Sequence, residues 1–484
     1  MTPCYIRIKG DILVGTAPSL ASMSTWVLLE REDWFENEIN FLRRFLRPGM
    51  NAIDVGANVG VYALTMAKRV SPGGSVHAYE PAGETVALLE SSVRRNGLTN
   101  IGVIAAALSA AEGRRALYNF GNPETNSFRL HTPDGQRGTE EVAVLTLDGE
   151  QRVRNWGIID FIKLDAEGEE ASILAGGRDF FVQQSPLVMF EAVSVTGGPA
   201  DTALQAAFRA MGYALYRLIG PDLILVPFEP GEALRPFDLN LFACKPDRAR
   251  QLASAGLLVT QAAPLPEIKD GSGTALIERQ AYAAAFGTLN PRSDRYRSAL
   301  DSYARWRDAA VNAELRYAAL CAALRHARDA VREIASPERL SSLARIAVEA
   351  GERQVAIDAL LRAVTLLRQN AAPPTEPFLP ATPRYDAIDP GNAPLPWLIA
   401  ASVEALEELR VFSGFFLPVE AQRPDILDWL QSTPFASAPI ERRRQLQNLR
   451  AGRQARMTAP TLLQREAPAN LNPALWIEGA IGPA

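Results

Sequence analysis

Cysteine is scarce in this chain: three in 484 residues, Cys4, Cys244 and Cys321, far apart and without metal-ligand spacing. That argues against a disulfide framework and fits a reducing compartment. No uncharged apolar run reaches the roughly 20 residues that a membrane helix needs. Arg7, Lys9 and Asp11 interrupt the first apolar stretch, which therefore does not read as a signal peptide, and the expected location is the cytoplasm. Positive charge is not in excess either. The formal net charge is −5, so no bulk attraction to nucleic acid is expected. Lysine is rare beside arginine, which reads as genome composition, since no single arginine site explains it.

What is present is a long chain with a core. Hydrophobic residues make up 47% and charged residues 22%, the balance of a globular protein, and 484 residues exceed one typical core. Two domains, or three, are expected.

The most informative stretch is Met-Asn-Ala-Ile-Asp-Val-Gly-Ala-Asn-Val-Gly at 50–60. A short apolar strand ends in Asp54, a turn with Gly56, Asn58 and Gly60 follows, and helical character runs from Val61 to Val70. A dinucleotide cradle needs spaced glycines whose N–H groups face two phosphates. Here Asn58 stands in place of the middle glycine and an aspartate precedes the turn. A ligand without phosphate and with a positive centre suits that lining better, and S-adenosylmethionine, with its amino group and sulfonium, is such a ligand. Twenty residues beyond Gly60, a strand ends in Glu80, where a carboxylate can accept the hydrogens of both ribose hydroxyls. An NAD-dependent oxidoreductase fits this pattern less well.

Four blocks occur in order: Asp-Val-Gly-Ala-Asn-Val-Gly (54–60), Ala-Tyr-Glu-Pro (78–81), Leu-Thr-Leu-Asp (145–148) and Asp-Phe-Ile-Lys-Leu-Asp-Ala-Glu-Gly-Glu-Glu (160–170). Over residues 34–246 the chain resembles the FkbM-type family of S-adenosylmethionine-dependent methyltransferases. One departure is Ala166, where valine is usual, a change expected in packing behind the site. The resemblance implies a class I methyltransferase fold, Rossmann-like, with a seven-stranded mostly parallel sheet. It also implies O-methylation of a hydroxyl group on a sugar or polyketide.

Read for organisation, residues 1–246 form the methyltransferase domain with an N-terminal extension. Residues 247–295 read as a linker, 296–370 as a helical region, 371–396 as a proline-rich linker and 397–484 as a helical C-terminal region. In the extension, 5–8 and 26–29 read as a strand pair and 33–46 as an amphipathic helix. From Asn51 strands and helices alternate, which predicts a parallel sheet. The stretch 112–147 breaks that rhythm and is expected to form extra strands near the active face. One long helix is expected over 298–334. Residues 338–368 resemble a single tetratricopeptide hairpin without a second copy, for which an ordinary helical pair is the simpler account. The last thirty or so residues read as loosely ordered.

For catalysis the leading candidate is Asp165, which closes a buried strand at the carboxyl edge of the sheet, where ligands bind in such folds. It could take the proton of the acceptor hydroxyl or hold a divalent cation that acidifies it. The competing role is to cap the following helix, where Glu167, Glu169 and Glu170 also complement the dipole. Glu167 is the second candidate. Glu191 closes the next strand on the same edge. His77, inside a strand, reads as packing, and His131, in the insert near Asp134, as an occasional base. Asp54, Gly56, Asn58, Gly60 and Glu80 are expected to bind the cofactor. The acceptor is expected to be a small molecule or glycan, with Tyr118, Asn119, Phe120, Asn126 and Phe128 suited to a sugar. The helical region could present the acceptor or dock a glycosyltransferase or another protein. The arginines at 442–444, 450, 453 and 456 read as a solvated basic face that could meet a diphosphate. The alternative from another class is an interaction protein that keeps the cofactor fold without turnover.

Overall fold

The computed structural model describes residues 3–119, 138–192, 202–261, 263–264, 268–369 and 372–453. Strands β1 (Cys4–Ile8) and β2 (Ile12–Thr16) pair antiparallel at the start of the chain. The stretch 26–29, expected as the second strand of that pair, is helical instead. Helix α1 (Met23–Arg31) begins where the Ser22 side chain accepts a hydrogen bond from the Thr25 N–H. Four residues of alternation cannot separate strand from helix, and the cap decides. Helix α2 (Glu38–Phe45) is shorter than the expected 33–46, because the residues around Trp34, Phe35 and Glu36 run irregularly before it.

The alternating segment then follows. It comprises β3 (Ala52–Val55), α3 (Val61–Val70), β4 (Val76–Tyr79), α4 (Gly83–Arg95) and β5 (Ile101–Ile104). Strands β6 (Ala107–Leu108), β7 (Gly113–Asn119) and β8 (Gly138–Leu145) make a separate small sheet, the extra strands expected of the insert; residues 120–137 lie outside the described residues. Helix α5 (Leu147–Arg154) leads to β9 (Phe161–Leu164). The helix expected over 168–183 is two, α6 (Glu170–Ala175) and α7 (Arg178–Gln183). They part at Gly176, where a Cβ would overlap the Ser109 carbonyl oxygen. Strand β10 (Leu187–Glu191), helix α8 (Thr202–Ala210), the hairpin β11 (Ala214–Ile219) and β12 (Ile224–Pro227), and β13 (Asn240–Cys244) complete the unit.

Eight strands form one sheet in the order β12-β11-β13-β10-β9-β3-β4-β5, with β12 extending the edge one strand beyond the expected seven. Strands β10, β9, β3, β4 and β5 are parallel, and β13 runs antiparallel against β10 and β11. From β3 the chain moves outward to β5, then returns to β9 on the other side. The crevice beyond β3 and β9 is therefore a topological switch point, where open α/β sheets bind ligands.

The remaining elements are helical: α9 (Pro246–Ser254), α10 (Ser272–Glu278), α11 (Asp294–Arg307), α12 (Ala313–Glu333), α13 (Pro337–Glu349), α14 (Arg353–Gln369), α15 (Pro394–Leu409), α16 (Pro424–Ser432) and α17 (Ala438–Arg450). The single helix expected over 298–334 is the pair α11–α12, because Asn312 caps a new helix by accepting from the Leu315 N–H at 2.9 Å. Neither stretch read as a linker is a free tether. Within 247–295, the Leu225 N–H donates to the Leu257 carbonyl at 2.9 Å and the Val259 N–H to the Leu225 carbonyl at 2.8 Å, against the β12 edge. Within 371–396, Glu376 pairs with the buried Arg339 at 2.8 Å, and Phe378, Leu379 and Tyr385 are buried. Proline here stiffens a segment laid along α13.

The two halves share their cores. Ile219, Ile224 and Val226 of the β11–β12 hairpin pack into the helical core with Trp306 and Leu343, while Leu446 of α17 packs among the residues of α1 and α2. The arginines of α17, expected on a solvated face, are largely inside: Arg442, Arg443 and Arg444 are buried. Arg443 Nε donates to Glu30 Oε1 at 2.8 Å, Arg442 Nε to the Glu30 carbonyl at 2.8 Å, and Arg444 pairs with Glu441 at 2.7 Å. Arg450 lies over the Trp26 ring at 3.8 Å. Arg453 is exposed, and Arg456 lies outside the described residues. The partner of Arg442 and Arg443 sits on α1, a long way off in sequence, and that of Arg444 on α17 itself. A chain ending at residue 250 would leave Trp26 and the β11–β12 hairpin uncovered, and it is expected to aggregate in size-exclusion chromatography. A monodisperse product with a cooperative melt would show that the first half is self-sufficient.

Candidate active site

Beyond the carboxyl ends of β3, β4, β9 and β10 lies a cavity of ≈ 680 Å³. Its floor is the β3–α3 turn, in which Gly56, Asn58 and Gly60 all have positive φ, of 74°, 48° and 92°. Gly56 has no room for a side chain, since a Cβ there would overlap the Asp165 carbonyl oxygen. A Cβ on Gly60 would meet Leu89 of α4. These conformations favour glycine and tolerate asparagine.

The turn's own N–H groups are spoken for. Those of Gly56 and Ala57 donate to the Tyr79 carbonyl at 3.0 and 2.9 Å, that of Asn58 to Glu80 Oε2 at 2.9 Å, that of Val59 to Asn58 Oδ1 at 2.6 Å and that of Gly60 to the Ala57 carbonyl at 2.9 Å. A pyrophosphate cradle presents such groups to its ligand. This one does not. Glu80 also accepts from the Ala82 N–H at 2.9 Å and lines the cavity, and burial pushes its carboxyl up to about 7. A carboxylate oxygen has lone pairs beyond these single bonds, so Glu80 can still accept from ligand hydroxyls.

The expected residues divide into two groups. Gly56, Asn58, Gly60, Glu80, Asp165 and Glu167 all line the cavity. Asp54 does not. It is fully buried behind the wall, 3.6 Å from Lys163 Nζ. Burial raises its pKa against the opposing pull of Lys163. Asp54 thus stands outside the lining, beside Lys163.

Lys163 is the residue that sequence reading passed over, although a lysine inside a four-residue buried strand was a signal. Its Nζ lies 2.9 Å from Asp165 Oδ2, donates to the Gly56 carbonyl at 3.3 Å and sits 5.4 Å from the centre of the Tyr62 ring. Burial opposes its charge, but Asp165 and Asp54 outweigh burial and hold it protonated. One ammonium thus ties the turn, the end of β9 and Asp54 together.

The loop after β9 is tight. Glu167 has a φ of 51°, the left-handed region that favours glycine, and Gly168 follows it at 93°. Glu170 holds this bend by accepting from the Ala166 N–H at 2.7 Å. Glu169 binds Arg115 of β7 at 3.0 Å and Ser109 Oγ at 2.7 Å, which joins the small sheet to the loop. Glu191, at the end of β10, lines the cavity as well. Burial, with Asp165, Glu167 and Glu170 nearby, pushes its carboxyl up to about 10, so it is protonated at neutral pH. Glu36 accepts from Tyr62 Oη at 2.5 Å, and burial and Asp165 raise its pKa too.

The opposite wall comes from outside the β3–β10 core. Trp34, Phe35 and Glu36 precede α2, Phe237 precedes β13, and Arg410, Val411, Phe412 and Phe416 follow α15 in the helical half. No local pattern marked the segment 410–416, which reaches the site only through the tertiary fold. His77 is packed 5.2 Å from the Trp156 ring centre and is not in the lining; His131 and Asp134 lie outside the described residues. Tyr118 is described on β7 but not in the lining, and Phe120, Asn126 and Phe128 are outside the described residues, as is the side chain of Asn119. Among the described residues no group of three or more His, Cys, Asp or Glu side chains could hold a metal ion, so the geometry gives no support to the divalent cation considered for Asp165. Among the same residues no helix is long and apolar enough to cross a membrane.

Residues 54–215 match the family model described as the Methyltransferase FkbM domain. The chain carries an FkbM methyltransferase domain. The match spans the β3–α3 turn, Glu80 and the Lys163–Glu191 segment, and leaves out the aromatic wall of the helical half. No curated protein matches the chain. Among solved structures, a methyltransferase FkbM from Methylobacillus flagellatus KT is 16% identical with a TM-score of 0.27, and the match covers 42% of this chain and 50% of that one. The chain thus spans half the length of that protein. An S-adenosylmethionine-dependent O-methyltransferase from Thermotoga maritima is 15% identical over 50% of this chain and 77% of its own, at a TM-score of 0.27. Aeropyrum pernix fibrillarin with natively bound S-adenosylmethionine is 13% identical over 50% and 82%, at 0.25.

The FkbM domain keeps Glu191 neutral at a cost that depends on pH. Its folded pKa is raised above the ordinary 4.5, so folding takes up a proton, and stability falls as pH rises from about 4.5 toward about 10. Glu191→Gln is therefore expected to melt above the wild type near pH 8, with the gap closing toward about pH 4.5. A gap that stayed constant with pH in thermal melts would contradict a neutral, buried Glu191.

Proposed function

We propose that this methyltransferase moves a methyl group from S-adenosylmethionine to a hydroxyl group of a carbohydrate. The observation that carries the cofactor assignment is the β3–α3 turn, whose N–H groups are all satisfied within the protein while Glu80 stays on the cavity wall. Such a floor suits a ligand without phosphate, and the carboxylates around it suit a positive one. Gly56 to Gly60 and Glu80 would hold S-adenosylmethionine, Glu80 by accepting from its ribose hydroxyls. When bound, the cofactor supplies an electrophilic methyl group on a sulfonium.

The chain's own part is to hold the acceptor and take its proton. Asp165 lies at the switch point with about a third of its side chain exposed (36%), close enough to the cavity to accept the hydroxyl hydrogen as the new carbon–oxygen bond forms. Lys163, at 2.9 Å, holds the carboxylate in place. Neutral Glu191 can donate to the acceptor as well as accept, which an ionised carboxylate could not. Glu167 is a second lining carboxyl that can orient the acceptor. The hydroxyl and carbohydrate reading is also supported by the family, whose typical assignment is O-methylation of sugars or polyketides. Retention of Lys163 and Asp165 in an open cavity favours turnover over a partner-binding role without chemistry.

Two variants test this reading. Glu80→Ala is expected to weaken S-adenosylhomocysteine binding by about 1.5–3 kcal/mol, the worth of hydrogen bonds to a charged group. Unchanged affinity in calorimetry would remove Glu80 from the ribose site. Asp165→Asn keeps the shape and is expected to bind S-adenosylhomocysteine as the wild type does, with turnover lowered about 10²–10⁴-fold. Near-normal turnover would make Asp165 structural.

A further inference from the structure

The aromatic wall of the cavity is built by two parts of the chain that meet only in the fold. Phe35 lies 5.2 Å from Phe412 and 5.6 Å from Phe416, and Phe237 lies 5.6 Å from Phe412, all between ring centres. Arg353 of α14 stacks 4.3 Å from both Phe237 and Phe412 and holds that pair from behind. Phe416 keeps 42% of its surface exposed, although it sits in the lining, so its face is not consumed by packing. A single backbone step joins Phe35 to Glu36, and Glu36 feels the charges of Asp165 and Lys163. The wall is thus continuous with the place where the acceptor hydroxyl would be deprotonated.

The charges of the same cavity limit what can lie against that wall. Among the described residues its cationic lining is Lys163 and Arg410. Both are engaged: Lys163 with Asp165 and Asp54, and Arg410 with Glu407 at 3.0 Å and the Ala421 carbonyl at 2.8 Å. Against them stand Asp165 and Glu167, with the carboxyls of Glu36 and Glu80 raised by burial, Glu191 neutral and Glu169 paired with Arg115. Among the described residues, a phosphate or carboxylate would meet these carboxyls and no unengaged guanidinium or ammonium in the lining. Arg443 and Arg444 of α17, which might have met a diphosphate, are buried against carboxylates.

We propose that Phe412 and Phe416, supplied by the helical half, form the acceptor subsite with Phe35, and that the subsite takes an uncharged, ring-bearing hydroxyl compound whose apolar face stacks on them. This rests on the methyl-transfer reading above and narrows it: the sugar is a neutral glycoside, not a nucleotide sugar or a diphosphate-linked one. The helical half is then the part of the chain that chooses the acceptor.

The test uses the full chain saturated with S-adenosylhomocysteine, probed by saturation-transfer NMR with para-nitrophenyl β-D-glucoside and, separately, UDP-glucose. The wild type is expected to saturate the glucoside and not the nucleotide sugar. Phe412→Leu and Phe416→Ala should bind S-adenosylhomocysteine within about twofold of wild type, yet weaken the glucoside signal about fivefold, as loss of a stacking contact implies. Phe412→Leu nearly conserves volume and guards against a simple folding defect. Equal glucoside signals in wild type and variants, no glucoside signal in wild type, or a stronger UDP-glucose signal would each overturn the subsite while leaving cofactor binding intact. Failure of the wild type to bind S-adenosylhomocysteine would instead bring down the methyltransferase reading, and the subsite with it.

Discussion

Glu30 is the side chain on which the joined structure turns. It is fully buried, and its two oxygens accept hydrogen bonds from Arg443 Nε, Ser413 Oγ, the Gly414 N–H and Trp26 Nε1, at 2.8 to 2.9 Å. Burial alone would raise its pKa, but Arg443 and Arg31 outweigh it and the net shift is downward. A buried carboxylate held this way is expensive to strip of a partner. Through it, α1 near the start of the chain, α17 near residue 450 and the 413–414 turn are held at one point. That turn carries Phe412 and Phe416 to the cavity on either side.

The cavity has a related logic. Its floor uses backbone geometry, with left-handed residues at 56, 58 and 60 and their N–H groups consumed internally. Its centre uses charge, with Lys163 as the counter-ion to Asp54 and Asp165. Its far wall uses aromatic surface from the helical half. The parallel sheet supplies the first two, while the third requires the helical half to be present and anchored. The methyl transfer proposed above would draw on all three, because an in-line displacement depends on how closely the acceptor oxygen is held.

Much of the first half was legible in the sequence for physical reasons. Strands such as 161–164, buried on both faces, leave an apolar run, and the turn at 56–60 shows in its glycines and asparagine because few other residues adopt positive φ. Glu80 and Asp165 were readable as strand-end carboxylates. Asp54 lies outside the lining, since a strand-end position does not say which face the side chain takes. Lys163 was overlooked because its role depends on two carboxylates meeting it in space. The helical half resisted for a different reason. Arginine on α17 looks solvated until its partners, Glu30 on α1 and Glu32 just after it, are brought beside it from about 400 residues away. Composition at 247–295 and 371–396 suggested linkers, since prolines and small residues mark tethers and rigid packed segments alike. The 410–416 segment has no motif at all.

Through Glu30 the helical half is held where its aromatic residues line the cavity. Hydrogen–deuterium exchange of the full chain, comparing wild type with Glu30→Gln, measures this directly. The Gly414 amide and its neighbours through Phe416 should exchange markedly faster in the variant, with β3 and β4 protected as before. Equal protection of Gly414 in both proteins would mean that the aromatic wall stands without Glu30, and the claim would fail.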